Sequence, residues 1–308
     1  VLIWKKERIC TMDKVILECK NINKKYRKKD HYHNASKNIS FQLKEGECLG
    51  VVGESGCGKS TLAKIIMNLE KADSGEVILD NECISNKKGK ELREVYKNIQ
   101  MVFQDAIGSF NPKITIGKSI EEYVCSLCST GEKNREIVVD NLLEMVGLPK
   151  EFKNRYPHEL SGGQCQRAAI ARALSSHPKV LICDEATSAL DVSVQAQVID
   201  LLVQMKKELN ISYIFITHNL ALVSSFCDRV IVMNHGEIVE EGSAYDVINN
   251  PQNDYTKLLS VAAGYKKLKN RIAKLDKEGT VNEAKAAEYK KKFIEFNSDL
   301  LCMKIFMI

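Results

Sequence analysis

Residues 49–61 read Leu49-Gly-Val-Val-Gly53-Glu54-Ser55-Gly56-Cys57-Gly58-Lys59-Ser60-Thr61. An apolar strand ends at Val52, a helix over 62–69 follows, and the nine residues between them, Gly53 to Thr61, occupy the setting a phosphate-binding loop requires. Glycines let successive backbone N–H groups turn inward around a β-phosphate. Lys59 adds a point charge for the β/γ oxygens, and the Ser60 hydroxyl is placed to ligate Mg²⁺. Cys57 lies inside the loop near a helix N-terminus, so a lowered thiol pKa is expected there.

Two further stretches extend this reading. Val180-Leu-Ile-Cys183-Asp184-Glu185 is a buried strand from whose C-terminal edge two carboxylates emerge, the edge at which open α/β sheets bind ligands. Asp184 is expected to hold Mg²⁺ through water, and Glu185 to polarise the water that attacks a γ-phosphate. Leu160-Ser161-Gly162-Gly163-Gln164 opens a strongly helical run, so free backbone N–H groups and the positive end of a helix dipole are exposed together. One γ-phosphate hardly needs two cradles from one subunit. A dimer, in which this second site closes over the partner's nucleotide, resolves the excess.

Working outward, strand patterns fall at 15–19, 40–43, 48–52, 77–79, 99–103, 180–183, 213–217 and 230–233, with helical patterns at 59–69, 135–146, 164–174, 192–209 and 219–226. Early strands followed by strand–helix alternation imply an α/β core with an antiparallel β portion. From Gln104 to Leu160 the strand signal stops, which predicts an inserted all-helical subdomain over about 105–165. The expected division is an N-terminal extension (1–12), a main domain (13–260) and a Lys-rich helical extension (261–308) in which Gly279 separates two helices. Residues 1–11 begin with a short apolar stretch unlike a signal peptide and are expected to be dispensable.

The composition, 44% hydrophobic and 28% charged, is that of a chain able to bury a core, and no run of about 18 apolar residues predicts a membrane span. The net charge of +5 conceals basic ends, +7 over 1–29 and +5 over 261–308, on a body of −7. Basic ends suit a solvated tail or anionic lipid as well as nucleic acid; no nucleic acid partner is expected. Eleven cysteines scattered from Cys10 to Cys302 suggest reduced thiols in a cytosolic protein. The Cys125-Ser-Leu-Cys128 spacing has no second pair and reads as a helix face.

Together, the phosphate loop, the paired carboxylates and the Leu-Ser-Gly-Gly-Gln stretch resemble the nucleotide-binding subunit of an ATP-binding cassette (ABC) transporter over about residues 13–260. The resemblance implies a P-loop NTPase of the ABC ATPase type, an ATPase using ATP and Mg²⁺. It implies that Gln104, in MVFQDAIGSFNP, contacts Mg²⁺ and leads into the helical subdomain; that Ser188-Ala-Leu-Asp191 contributes Asp191 near the nucleotide; and that His218 touches the γ-phosphate. It gives Tyr26 the stack on adenine, with Tyr32 and His33 in the same loop as alternatives. Ser161, Gly162, Gly163 and Gln164 form the signature that meets a partner's ATP. Arg167 and Arg172 read as helix braces.

Ser109-Phe-Asn-Pro112, Arg155 to Ser161, Ala189 to Gln197 and Asn250-Pro-x-x-x-Tyr-Thr-x-Leu-Leu259 look like the oligopeptide, dipeptide and nickel importer group. That group implies two different ATPase subunits beneath two integral membrane permeases, an extracellular solute-binding protein, and a place on the cytoplasmic face of a bacterial membrane. Cys165 stands where the group usually shows Arg, and a lone Cys302 beyond Cys227 lacks the cysteine set of members that carry an iron–sulfur centre. A soluble ABC ATPase acting on nucleic acid or ribosomes is the alternative. A P-loop kinase is disfavoured by the signature and by the Asp184-Glu185 pair.

Overall fold

The computed structural model describes residues 14–28, 31–127, 132–188 and 190–261. The expected N-terminal extension, Cys128 and the tail with Gly279 lie outside them. Two sheets carry the fold. One is antiparallel, in the order β2-β1-β4-β5, from β1 (Val15–Lys28), β2 (His31–Lys44), β4 (Ser74–Leu79) and β5 (Glu82–Cys83). The other runs β10-β9-β3-β8-β7-β6, from β3 (Cys48–Val52), β6 (Ile99–Val102), β7 (Val180–Asp184), β8 (Ser212–Ile216), β9 (Arg229–Asn234) and β10 (Glu237–Ser243). All neighbours in this second sheet are parallel except the edge pair β10–β9.

Burial explains the central strands. CLGVV, VLICD and SYIFI are buried at every position, the continuous apolar reading of parallel strands covered on both faces. Alternate residues go to opposite layers. Leu49, Val51, Ile182, Ile214 and Ile216 join a cluster beneath the antiparallel sheet and α1 (Lys59–Ile66). Cys48, Val52, Leu181, Cys183 and Phe215 join the cluster formed with α5 (Gly162–Leu174), α6 (Val192–Leu209) and α7 (Leu220–Phe226). The helical stretch between β6 and α5 contains α3 (Ile116–Leu127), α4 (Glu132–Met145) and short 3-10 turns at Lys150–Asn154 and Pro157–Glu159. Its apolar residues Ile116, Ile120, Leu142 and Leu143 belong to that same second cluster, so it shares the core of the sheet domain.

Several boundaries differ from the sequence reading. The first hairpin is far longer than Val15–Cys19 and Ser40–Leu43, because its distal half, rich in Lys and Asn, is held by cross-strand pairing. Its tip positions Tyr26 opposite His33. The α2 helix (Gly89–Asn98) carries little signal because only Val95 is buried on it; β10 is an edge strand, EIVEEGS, with no fully buried residue. Helix α1 ends at Ile66, three residues early. Asn68 adopts a left-handed φ of 55°, and the Leu69 N–H returns to Lys64 O at 2.8 Å, closing a Schellman motif.

Candidate active site

The C-terminal ends of β3, β6, β7 and β8 share one edge of the parallel sheet, and each delivers a segment singled out by the sequence: Gly53–Thr61, Gln104, Asp184–Glu185 and His218. There Ser55, Gly56, Gly58, Lys59, Ser60, Thr61, Gln104 and Glu185 line a cavity of about 340 Å³ with Tyr26, His33 and Ala35; Asp184 and His218 stand at the same edge outside its lining.

The loop's shape depends on glycine. Gly58 has φ 112°, and a Cβ there would stand 1.9 Å from the Ala35 carbonyl oxygen; at Gly53 (φ 152°) it would stand 2.2 Å from that of Met233. Close backbone approach to β2 and β9 therefore demands both glycines. Gly58 precedes α1 without any side-chain cap, which leaves the first N–H groups of that helix to an anion. Lys59 is buried, and its Nζ donates to Gly53 O and Glu54 O, both at 2.8 Å. Its aliphatic stem passes into the fold while the charge stays at the loop.

Ser60 Oγ donates to Asp184 Oδ1 at 3.0 Å. Asp184 is buried, and desolvation raises its pKa above the usual carboxylate value, partly offset by the Ser60 bond. Glu185 is held at φ 47°, an unusual left-handed conformation for a non-glycine, with its N–H donating to Ile216 O at 3.0 Å. Its Oε1 lies 3.6 Å from His218 Nδ1, and the His218 side chain is half exposed. Gln104 Nε2 donates to Ser188 Oγ at 3.3 Å, and Ser188 Oγ donates to Glu185 O at 2.9 Å. One hydrogen-bonded chain thus links the turn after β6 to the backbone of Glu185.

At the cavity's outer wall Tyr26 is half-buried with Lys24 Nζ 5.3 Å from its ring centroid. Of the three aromatic alternatives, Tyr26 and His33 line the cavity. Tyr32 is exposed, as strand alternation requires of the neighbour of an inward His33.

Ser161–Gln164 do not line this cavity. Ser161 is the N-cap of α5: its Oγ accepts from Gln164 N at 3.3 Å, and Gln164 Oε1 accepts from Ser161 N at 2.9 Å, a reciprocal capping box. Gly162 is exposed, whereas a Cβ on Gly163 would stand 2.3 Å from Val194 Cγ1 of α6. Asp191 also lies away from the cavity and caps α6, accepting from Ser193 N and Val194 N; the Ser193 hydroxyl lowers its carboxyl pKa. Arg172 braces as expected, donating to Ser109 O and Oγ at 2.8 Å.

Cys57 corrects the sequence reading. Burial pushes its thiol pKa up, and the opposing effect of Lys59 does not overcome it. Sequence reasoning also missed Ala35, whose only signal is its place on the hairpin, and gave no role to Tyr255, which accepts a hydrogen bond from Glu54 N at 2.9 Å.

Known proteins resemble this chain in sequence and in fold. The ABC transporter family model matches residues 36–188. The oligopeptide transport ATP-binding protein OppF of Haemophilus influenzae is 48% identical over 232 residues, covering 74% of this chain and 69% of that protein. OppF of Bacillus subtilis is 44% identical over 251 residues, 80% of this chain and 82% of that one. Among solved structures, the ATP-binding cassette MJ0796, a dimer in a post-hydrolysis state with ADP and Pi, superposes with a TM-score of 0.68 at 31% identity. It covers 74% of this chain and 99% of that one. With the phosphate loop, the paired carboxylates and Gln104 gathered on one sheet edge, the chain belongs to the ABC transporter family, as one of its ATP-binding, ATP-hydrolysing subunits.

Proposed function

We propose that the chain powers import of oligopeptides through a membrane permease, by ATP-driven closure of two nucleotide-binding subunits. The observation that carries this is the convergence of Lys59, Ser60, Gln104 and Glu185 on one cavity with Tyr26 at its outer wall. Relatives named for oligopeptide transport supply the substrate class.

The nucleotide's base stacks on Tyr26, and its phosphates lie along the loop, on the N–H groups that begin α1. Lys59 neutralises the β/γ oxygens, and Glu185 accepts a proton from the attacking water while His218 orients the γ-phosphate. Ser60, Asp184 and Gln104 offer a hydroxyl, a carboxylate and an amide. These hard oxygen donors fit Mg²⁺, a cation that keeps several waters and needs few protein ligands. Bound there, Mg²⁺ would neutralise charge developing on the phosphate oxygens. The fixed αL backbone of Glu185, tied to β8 and to Ser188, keeps its carboxylate aimed while the chain closes and opens.

Ser161–Gly163 meets the nucleotide of a second subunit, and so does Asp191; a paralogue forms that subunit, giving a heterodimer. Two permease subunits dock, one on each cassette, at the groove of about 480 Å³ lined by Leu69, Met101, Phe103 and Tyr123, where Leu69 and Phe103 are exposed apolar side chains and Phe103 directly precedes Gln104. The helical stretch over about 105–165 carries the closing motion to them. ATP acts as a dimerisation ligand, and its cleavage removes the affinity that holds the closed state. A solute-binding protein delivers the peptide on the outer side, and the chain sits on the cytoplasmic face of a bacterial membrane.

Purification of the native complex with identification of its partners, followed by ATPase assay in proteoliposomes, tests this reading. Permease subunits and a second cassette should co-purify, and turnover should rise with peptide-loaded binding protein. Recovery of ribosomes or nucleic acid in their place would overturn it.

A further inference from the structure

The segment from Asn250 to Leu259 has no part in the cycle above, yet it touches the phosphate loop. We propose that Tyr255 is a positioning residue that sets the orientation of the Gly53–Glu54 peptide and, through it, the ammonium of Lys59. Tyr255 Oη accepts from Glu54 N at 2.9 Å. The carbonyl of the same peptide, Gly53 O, accepts from Lys59 Nζ at 2.8 Å. A peptide unit is planar, so any rotation that releases the N–H from Tyr255 swings the carbonyl away from Lys59. The two side chains therefore hold one rigid plate from its two ends.

Tyr255 is itself firmly placed. It is 7% exposed, and burial raises its phenol pKa, which keeps the hydroxyl protonated. Its backbone N–H donates to Asn253 Oδ1 at 2.9 Å. Glu240 of β10 accepts from Gln252 N at 2.8 Å and from Asn253 N at 3.1 Å, fixing the segment to the sheet edge beside the loop. The chain beyond β10 is thereby built into the nucleotide site.

The inference rests on the loop's reading as a phosphate cradle, and the experiment separates the two. In the full chain, Tyr255→Phe deletes only the hydroxyl. Fluorescent TNP-ATP should bind about 3–10-fold more weakly, the effect of one buried hydrogen bond. TNP-AMP, which lacks the β-phosphate, should bind as before. In the assembled complex KM for ATP should rise by the same factor with kcat little changed. Tyr255→Leu, which keeps apolar bulk, should reproduce the pattern. Equal weakening of both nucleotides with a fall in Tm would make Tyr255 merely structural and overturn the proposal, as would unchanged binding of both. Undiminished TNP-ATP binding by Lys59→Ala would instead overturn the cradle reading, and the inference with it.

Discussion

The chain contains two glycine-rich turns that open helices, Gly53–Thr61 before α1 and Ser161–Gln164 before α5, and they are finished differently. The first has no side-chain cap, borders a cavity, and is surrounded by Lys59, Asp184 and Gln104. The second caps itself through Ser161 and Gln164, lines no part of that cavity, and presents Gly162 to the exterior. Both offer backbone N–H groups to an anion, but only the first is furnished with the charges that phosphate chemistry needs. The difference matches the division of labour in the proposed cycle, in which the first turn is a cradle within this chain and the second is half of a site shared with a second subunit.

The sharpest break in that comparison is Glu185→Gln. If the first turn holds the whole chemical apparatus, removing its proton acceptor should lower ATP turnover about 10²–10⁴-fold while ATP still binds. The variant should also accumulate as an ATP-bound dimer on gel filtration, which brings the second turn into play. Near-full turnover in the assembled complex would remove Glu185 from the chemistry.

A second pair of variants separates packing from contact within the signature. Gly163→Ala meets Val194 Cγ1 at 2.3 Å and should cost about 1–3 kcal/mol of stability by overpacking. At Gly162 the nearest side-chain atom, Leu190 Cδ2, would be 3.6 Å away, so Gly162→Ala should leave Tm unchanged. Its added methyl should nonetheless lower turnover by about 10-fold or more, because close backbone approach to a phosphate is lost. A Gly162→Ala enzyme with normal turnover would mean that the second turn never meets nucleotide.

Much of the site was legible because phosphate chemistry constrains residue type and spacing together: Gly58, Lys59, Ser60, Asp184 and Glu185 all meet at one sheet edge as their motifs implied. The central strands were legible because burial on both faces makes them continuous apolar runs. What escaped depends on tertiary partners. The distal hairpin at Tyr26 is polar along its length and exists by cross-strand pairing; β10 is an edge; α2 buries one residue. Ala35 lines the cavity by its place on β2, where Gly58 packs on its carbonyl. The polarity of Cys57 was misread for a related reason: a helix N-terminus and a nearby lysine are visible in sequence, but the burial that outweighs them is not.

A smaller effect concerns Asp184, which the first turn uses and the second has no counterpart for. Its pKa is raised by burial above the ordinary 3.8, so the folded state holds this proton more tightly than the unfolded chain. Stability contributed by that proton is present below about pH 4 and is lost as pH rises through the folded pKa. Asp184→Asn keeps an oxygen for Ser60 and removes the charge. Its Tm should therefore exceed that of the native chain by about 2 °C at pH 7, while at pH 3.5 the two should coincide, as read by calorimetry. A lower Tm at pH 7 would mean that the carboxylate is stabilised in the fold.

The smallest effect compares the two thiols beside the two turns. Cys57 sits in the phosphate loop just before the N-cap of α1, and Cys165 directly follows Gln164 in the first turn of α5, yet burial raises both, Cys165 to about 11. The thiolate is the species that reacts, so alkylation by iodoacetamide should be slow at pH 7 and should rise about tenfold per pH unit without levelling through pH 9. Exposed Cys83 should label faster than either. MgATP should then distinguish the turns. Nucleotide covering the loop should protect Cys57, which is 7% exposed, and leave Cys165 of an isolated subunit as it was. Mass spectrometry of the labelled peptides gives both rates, and inactivation by the reagent should disappear in Cys57→Ala. A Cys57 rate that levels off near pH 7 would mean that the loop's N–H groups and Lys59 outweigh burial after all, and the phosphate loop would then be the more electropositive of the two turns even toward its own side chains.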